Sequence, residues 1–396
     1  MVRGGEVTAV VLTHAPGSGT LHACLRSLVG QSHPVDIFLV DNSVGADRAV
    51  VDDACRAFPG VRRTSPGRNL GFARGVNLAL SRVATPFVLI LNDDSTLEPG
   101  ATAAMRRSLD ADAGTVAVAP KILLARHPHV LDGVGTVIRP DGLAFNRGIG
   151  QFDIGQYDEA RPVFGVSFAA CLIRRRAFEP DEVGPLDDTF FMYYEDVDWC
   201  YRAGLCGWRV ATAPDAIAHH EGAHTARRRP AGFRHYFLYR NPLWLVVKNF
   251  EAPRAARALA RRLAAVTAHV VRGPYRRAAC RALHDFAHAL PRHLAQRPVI
   301  QARRTVPDSV LLAHASAEVP CFDHDQSEPR VDLGTLSVMY ERRYRASNAA
   351  QDRRIAELAR TITATPDRRD LRRELLSLLS GQPEPVRGFA EPLLRS

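Results

Sequence analysis

Two acidic clusters and one histidine pair in this 396-residue chain have the residue types for proton transfer or cation binding. Glu195-Asp196 follows the aromatic run Phe190, Phe191, Tyr193, Tyr194. A largely apolar wall of that kind holds a carboxylate near the pKa a general base needs. The same residues read equally well as ordinary core, with the two acids at the start of a helix over Val197–Ala203. Asn92-Asp93-Asp94 closes the apolar run Phe87–Leu91. Adjacent carboxylates at the end of a buried strand are costly unless a positive partner meets them. Hard oxygen ligands suit Mg²⁺ or Mn²⁺, and the competing reading is a helix start through Ser95, Thr96 and Glu98 ahead of Pro99-Gly100. His219-His220 stands just before Gly222. A zinc site from Cys200, Cys206, His219, His220 and His224 competes for that segment, but five residues separate the cysteines, more than the usual gap of about two to four.

These groups need a scaffold, and the flanking patterns supply one. Glu6–Thr13 is a β-branched run, then come a Gly/Pro/Ser loop, a helix pattern with Leu21, Cys24, Leu25 and Leu28 on one face, and a second run Val35–Val40. Strand, helix, strand over so short a distance predicts a βαβ unit with parallel strands. Ligands of such sheets sit at the carboxyl ends of the strands, which places Thr13, His14, Asp41 and Asn42 at one edge. In the segment Asn69–Asn77, Gly71 and Gly75 let backbone approach a ligand, and the helix running through Leu80 offers its N-terminus to a phosphate. Residues 121–160 read as long loops with short strands, and Val163–Ile173 as one further strand-like run. Asp198 reads as a carboxylate at a helix N-terminus. Trp199, Tyr201 and Trp208 read chiefly as core, with at most one of them facing a ligand.

The length predicts two or three units, and 46% apolar with 24% charged residues is an ordinary globular composition. No apolar run approaches the roughly 18 residues of a membrane span. The first residues lack a signal-peptide pattern, so a cytoplasmic protein is expected. Seven scattered cysteines without CxxC read as reduced thiols. The net charge of +10 is uneven: from Ala223 to Thr305 there are 18 Arg or Lys against two acids. Such a surface suits an anionic partner. Leu259, Leu263, Val266 and Val270, then Leu283, Phe286 and Leu290 after Gly273-Pro274, give amphipathic Arg-rich helices suited to an anionic membrane surface or to packing on the rest of the chain. Nucleic acid is not expected, since no aromatic residues interleave and no binding motif appears. The last 90 or so residues carry helical patterns at Leu333–Arg345, Asp352–Thr361 and Asp370–Leu379, and they read as an appendage for docking or for pairing with a second copy of the chain.

The segments AVVLTH, LVDNS, NLGFARGVN, LILNDDS, AACLIRR, FFMYYEDVDWCYR, GWRV and IAHHEG follow one another in this order. Together they resemble a family 2 glycosyltransferase of GT-A fold, most of all its bacterial rhamnosyltransferase-type members, over about Val7–Phe250 and more weakly to Arg304. The resemblance implies an α/β protein, a Rossmann-like mixed sheet with a mainly α-helical C-terminal region. Its divisions would be a catalytic domain at 1–250, a basic helical region at 251–305 and a helical appendage at 306–396. It implies that Thr13 and Asp41 meet the nucleotide base, that Asn69, Gly71 and Asn77 line the nucleoside, and that Ala169, where many members have Gly, faces the donor sugar. Asp93 and Asp94 match the middle and last positions of the family's metal-binding motif, whose first acid is here Asn92. Asp196 matches the catalytic base, Glu195 the neighbour that places acceptor or base, and His219, three residues before Gly222, the histidine that completes the metal site. The implied activity is inverting transfer from a nucleotide-diphosphate sugar, dTDP-rhamnose first and a UDP-sugar second. The acceptor would be a cell-envelope or lipid-linked glycan at the cytoplasmic membrane face, and the cofactor Mg²⁺ or Mn²⁺. A degenerate transferase that binds nucleotide or glycan without turnover is the alternative.

Overall fold

Apolar and β-branched residues fill Val7–Thr13 without a break, and in the computed structural model all seven are buried as strand β1. The structure describes residues 5–17, 19–153, 155–222, 232–314, 334, 336–337, 339–341, 349–365, 368–382 and 386. His224 and Cys321 lie outside the described residues, as does much of Leu333–Arg345. β1 runs between β2 (Val35–Asp41) and β4 (Phe87–Asn92), parallel to both, with β3 (Arg62–Thr64) beyond β2. Strands covered on both faces have no polar side to show, which is why they read as continuous apolar runs. Helix α1 (Thr20–Val29) buries Leu21, Cys24, Leu25 and Leu28, the face its spacing predicted. Helices α2 (Asp47–Ala57), α3 (Phe72–Leu80) and α4 (Ala101–Asp110) complete this half.

Beyond β4 the sheet turns mixed. Its other strands are β5 (Ser95–Leu97), β6 (Thr115–Leu124), β7 (His127–Gly133), β10 (Pro162–Val163), β11 (Ala170–Arg174) and β12 (Arg209–His220). The order is β10-β12-β6-β11-β4-β1-β2-β3, with β5 on β12 and β7 on β6. A small hairpin of β8 (Thr136–Ile138) and β9 (Ala144–Asn146) stands apart. Two local expectations change. Ser95–Leu97 is a strand rather than a helix start, because it pairs antiparallel with the end of β12. Val163–Ile173 is two strands joined by a loop, since its first end pairs with β12 and its last with β4 and β6.

Helix α5 (Glu195–Leu205) carries the acidic pair, and α6 (Phe233–Asn249), α7 (Ala252–Arg272), α8 (Arg276–Ala302) and the short α9 (Asp308–Leu311) follow. The apolar faces of α7 and α8 pack inward. Ala258, Phe286 and Leu312 join the core that also holds Val10, Phe168 and Trp199. Arg257, Arg261, Arg276, Arg277 and Arg281 are left to solvent while Arg262 pairs with Asp141, and residues 251–314 thereby share one core with the sheet. A buried ion network bolts α6 to α5: Lys248 meets Asp187 and Asp198, and Asp198 also takes Arg202 and Asn249. Asp198 is thus a network member more than a dipole partner. Farther on, α10 (Ala350–Ala364) and α11 (Arg369–Leu379) build a separate small core. Among the described residues no helix is long and apolar enough to cross a membrane, and the six described cysteines are unpaired.

Candidate active site

Register brings the chemistry to one edge. Thr13 pairs with Asp41 and Leu12 with Asn92, so β1, β2 and β4 end together, where an open parallel sheet receives its ligands. A cavity of about 590 Å³ opens there, within the usual size for a small-molecule site. Thr13, Asn69, Gly71, Asp93 and Asp94 line it, joined across the edge by Ala169, Glu195 and Asp196. The Thr13 hydroxyl donates to Asp93 Oδ2 at 2.6 Å. Burial, and then the charge of Asp94, push the Asp93 carboxyl up to about 7. Asn92 N–H donates to the Ala169 carbonyl at 3.0 Å, which fixes that alanine at the rim. Gly71, with φ of +78°, begins α3; a Cβ there would fall 2.5 Å from the Phe191 ring. Only glycine fits both that conformation and that approach.

The aromatic run is a strained turn. Phe191, Tyr193 and Tyr194 all have φ between 62° and 72°, and each left-handed non-glycine residue costs roughly 1–2 kcal/mol. The turn delivers Glu195 and Asp196 into the first turn of α5. Asp196 Oδ1 accepts from Val197 N–H at 2.8 Å and Oδ2 from Phe168 N–H at 3.4 Å. Burial outweighs those bonds and raises its carboxyl to about 6. Glu195 stands well above the usual carboxyl range, through burial first and then the charge of Asp196. Its Oε2 is buried without a hydrogen-bond partner. Burial thus disfavours the charged form of both carboxyls, and Asp196 is left to ionise close to neutrality.

Three expected site residues fall elsewhere. His219 was expected in the metal site, yet its Nε2 lies 3.3 Å from Glu98 on the far side of the strand. Its neighbour His220 lines the cavity instead, with Nε2 3.2 Å from Asp94 Oδ1 and Nδ1 2.9 Å from Asp132 Oδ2. Consecutive strand residues face opposite sides, and pairing of His220 with Ser95 sets the side. Burial disfavours the His220 imidazolium, but Asp94 and Asp132 outweigh it and raise its pKa well above the ordinary value. Asp41 is fully buried outside the cavity wall, its carboxylate held by Arg63, Ser65 and Ser43 N–H. Its neighbour Asn42 reaches the cavity. Asn77 clamps the backbone of Leu186, donating to its carbonyl at 2.9 Å and accepting from its N–H at 3.0 Å, and does not line the cavity.

Trp199, Tyr201 and Trp208 stay out of the cavity, the first two as fully buried core. Among the described residues no three His, Cys, Asp or Glu side chains converge as a metal site, which leaves the zinc reading without support there. The donor set does fit a hard divalent ion held by fewer protein groups. Asp94 and His220 touch across the cavity wall, and Mg²⁺ characteristically takes one or two protein ligands and fills its shell with water and substrate phosphate. Residues that sequence reasoning passed over are Asp132, Arg63 and the pair Arg240-Asn241. Asp132 sat in a Gly- and Asp-rich stretch with nothing to single it out. Arg240-Asn241 did carry a signal, a charged and a polar residue inside a long apolar helix.

A mixed sheet of this order, with acids at the carboxyl edge of β4 and a second acidic pair on a helix across the cavity, defines the GT-A class of nucleotide-sugar transferases. A crystal structure of GalNAc-T7 with UDP, GalNAc and Mn²⁺ superposes with a TM-score of 0.52 at 14% identity, covering 72% of this chain and 58% of that one. At that identity the likeness is one of fold. The family described as glycosyltransferase like family 2 matches residues 5–238, more than half of the chain, and the protein belongs to that family. Its relatives include the N-acetylglucosaminyl-diphospho-decaprenol L-rhamnosyltransferase of Mycobacterium tuberculosis, 29% identical over 260 residues, 56% of this chain and 78% of that protein. The low-salt glycan biosynthesis hexosyltransferase Agl10 of Haloferax volcanii is 28% identical over 120 residues, 29% of this chain and 38% of its own length.

Proposed function

We propose that the protein is an inverting rhamnosyltransferase that carries a sugar from dTDP-rhamnose to a hydroxyl of an N-acetylglucosaminyl-diphospho-lipid at a membrane surface. The observation that carries this reading is the meeting of Glu195 and Asp196 with Asp93, Asp94 and His220 in one cavity at the carboxyl edge of the sheet. Asp196, ionised at neutral pH, takes the proton of the acceptor hydroxyl as its oxygen attacks the anomeric carbon on the face opposite the diphosphate. The anomeric C–O bond to the diphosphate breaks as the new glycosidic bond forms, so one in-line step inverts the centre. General base catalysis of this kind is worth roughly 10²–10⁴ in rate. Glu195 turns an Oε2 that has no hydrogen-bond partner within the protein toward a sugar hydroxyl and so fixes it. Asp94 and His220 would hold Mg²⁺ or Mn²⁺, with Asp132 orienting the His220 ring. Such an ion supplies charge neutralisation for the departing diphosphate. Ala169 at the rim narrows the sugar end of the cavity relative to glycine.

The membrane part of the reading rests on the turn between α7 and α8. Val271, Arg272, Arg276, Arg277 and Arg281 are all exposed there, and Tyr275 of the same turn stacks on His235, which lines the cavity. A basic tip beside the cavity mouth suits docking to anionic lipid, where a lipid-linked acceptor would be found. The test is incubation with dTDP-rhamnose or UDP-glucose and a short-chain GlcNAc-diphospho-lipid, with products read by mass spectrometry. One added deoxyhexose from dTDP-rhamnose is the expected result. Transfer only from UDP-glucose, or no transfer from either donor, would overturn the donor assignment.

A further inference from the structure

We infer that Arg240 and Asn241 of α6 are positioning residues that hold the catalytic carboxylates in place through the backbone of the 190–194 turn. The inference rests on Asp196 as the base. Four residues separate the core residue Phe190 from Glu195, and three of them are held in a conformation that side chains avoid. Such a turn persists only where its surroundings over-determine it. Asn241 is fully buried, and its Nδ2 lies 2.6 Å from the Tyr193 carbonyl, 3.0 Å from that of Met192 and 3.4 Å from that of Phe190. Two hydrogens serve three carbonyls, with the Tyr193 and Met192 bonds the shorter. Arg240 Nη2 donates to the same Phe190 carbonyl at 3.1 Å. Its Nε donates to Asn241 Oδ1 at 2.9 Å, which fixes the amide with its NH₂ toward the turn.

The clamp continues outward. Arg240 Nη1 donates to the Tyr236 hydroxyl at 2.5 Å, and that hydroxyl donates to Asp285 of α8 at 2.5 Å. Arg240 also lies over the Trp244 ring, 3.9 Å from its centroid. On the other side of the turn, Phe72 N–H at the start of α3 donates to the Phe191 carbonyl. The turn is therefore pinned from the nucleotide side by α3 and from the helical side by α6. Every carbonyl from Phe190 to Tyr193 accepts one of these bonds, and none of the donors from α6 touches the cavity itself. Asn241 thus acts on Asp196 only through where the turn puts it. Misplacement of a catalytic group by about 1 Å costs on the order of 10²-fold in rate.

The experiment compares the full chain with Asn241→Ala, Tyr236→Phe and Asp196→Asn. Turnover of dTDP-rhamnose with the short-chain GlcNAc-diphospho-lipid gives kcat and KM, calorimetry with dTDP and Mn²⁺ gives donor-side affinity, and circular dichroism gives Tm. Asn241→Ala is expected to lower kcat by about 30- to 300-fold while KM for the donor and Kd for dTDP stay within about threefold. Tyr236→Phe, which keeps the ring and loses only the outer link, is expected to lower kcat by roughly three- to tenfold with binding unchanged. Wild-type kcat in Asn241→Ala overturns the inference, and so does a fall in dTDP affinity that matches the fall in kcat. If Asn241→Ala does not fold, an unchanged kcat in Tyr236→Phe overturns it. Turnover retained by Asp196→Asn instead strikes the base assignment, so the two failures are told apart.

Discussion

Glutamine at 195 and asparagine at 196 replace adjacent carboxyls by amides, and the cavity makes the outcomes opposite. Burial raises Asp196 to about 6 and Glu195 well above the usual carboxyl range. Asp196 is then mostly ionised at pH 7.5 and mostly protonated at pH 5. Burial disfavours the charged form of Glu195, and glutamine keeps its shape and supplies a hydrogen-bond donor. The assay is kcat/KM for dTDP-rhamnose between pH 5 and 9 with saturating GlcNAc-diphospho-lipid. The wild type should lose activity about tenfold per unit below pH 6, since the base must be ionised. Glu195→Gln should stay within about tenfold of wild type and keep that acid limb, while Asp196→Asn should fall by ~10²–10⁴ and lose it. Stability moves the other way. A carboxyl raised in the folded state binds its proton more tightly there than in the unfolded chain, so its contribution is present at low pH and is lost as pH rises through the folded value. Asp196→Asn should therefore raise Tm at pH 7.5. An inactive Glu195→Gln beside an active Asp196→Asn would reverse the two roles and refute the reasoning.

Three further outcomes are expected. His220→Ala should weaken Mn²⁺ binding in the presence of dTDP by about tenfold or more, whereas His219→Ala should leave it within about twofold; calorimetry or Mn²⁺ spin resonance reads both, and the reverse pattern would return the metal to His219. Lys248→Met strands Asp187 beside Asp198 in the core, and removing one partner of a buried ion network costs roughly 3–5 kcal/mol, measurable as a lower urea midpoint. Burial raises Asp187 but Lys248 outweighs it and holds its carboxyl below the usual range, so this stability is lost as pH falls, and the gap between wild type and Lys248→Met should narrow in acid. Reversing Arg272, Arg276 and Arg277 to Glu should abolish sedimentation with phosphatidylglycerol vesicles, at about 1 kcal/mol per basic residue removed from the surface, with transfer to a short-chain soluble acceptor unchanged; wild-type sedimentation would exclude the α7–α8 tip as the docking surface.

The parallel half of the fold was legible because each strand is buried on both faces and each helix on one. The runs at Val7–Thr13, Val35–Asp41 and Phe87–Asn92 carry that information locally. The edge where the cavity opens followed from the βαβ pattern, which placed Thr13, His14 and Asn42 correctly on its wall, while Asn69 and Gly71 were indicated by the resemblance. The turn before Glu195 was not legible. Nothing in FFMYY announces three left-handed residues, since the strain is stabilised by Arg240 and Asn241, which lie about 50 positions away in sequence. Asp41 read correctly as an edge carboxylate, but Arg63, on the neighbouring β3, claims it. Local pattern identifies what a residue is able to do; a partner from elsewhere in the chain decides whether it is free to do it.

The histidine pair shows the same limit most sharply. The resemblance selects His219 by its spacing from Gly222, but that spacing does not say which face of β12 each histidine takes. Pairing with β6 slips between Ala213 and Ile217, and a bulge of that kind resets which residues face each side of a sheet. Beyond the slip, His220 pairs with Ser95 and His219 with Thr96, and Glu221 N–H donates to the Asp94 carbonyl at 3.0 Å. That last bond ties the strand end to the acid it serves, so the side chain one residue back, His220, turns to Asp94. A deletion of one residue within Pro214–Ala216 would shift the register and exchange the two faces. It should therefore move Mn²⁺ dependence from His220 to His219 wherever the deleted chain folds, which a point substitution at either histidine cannot accomplish.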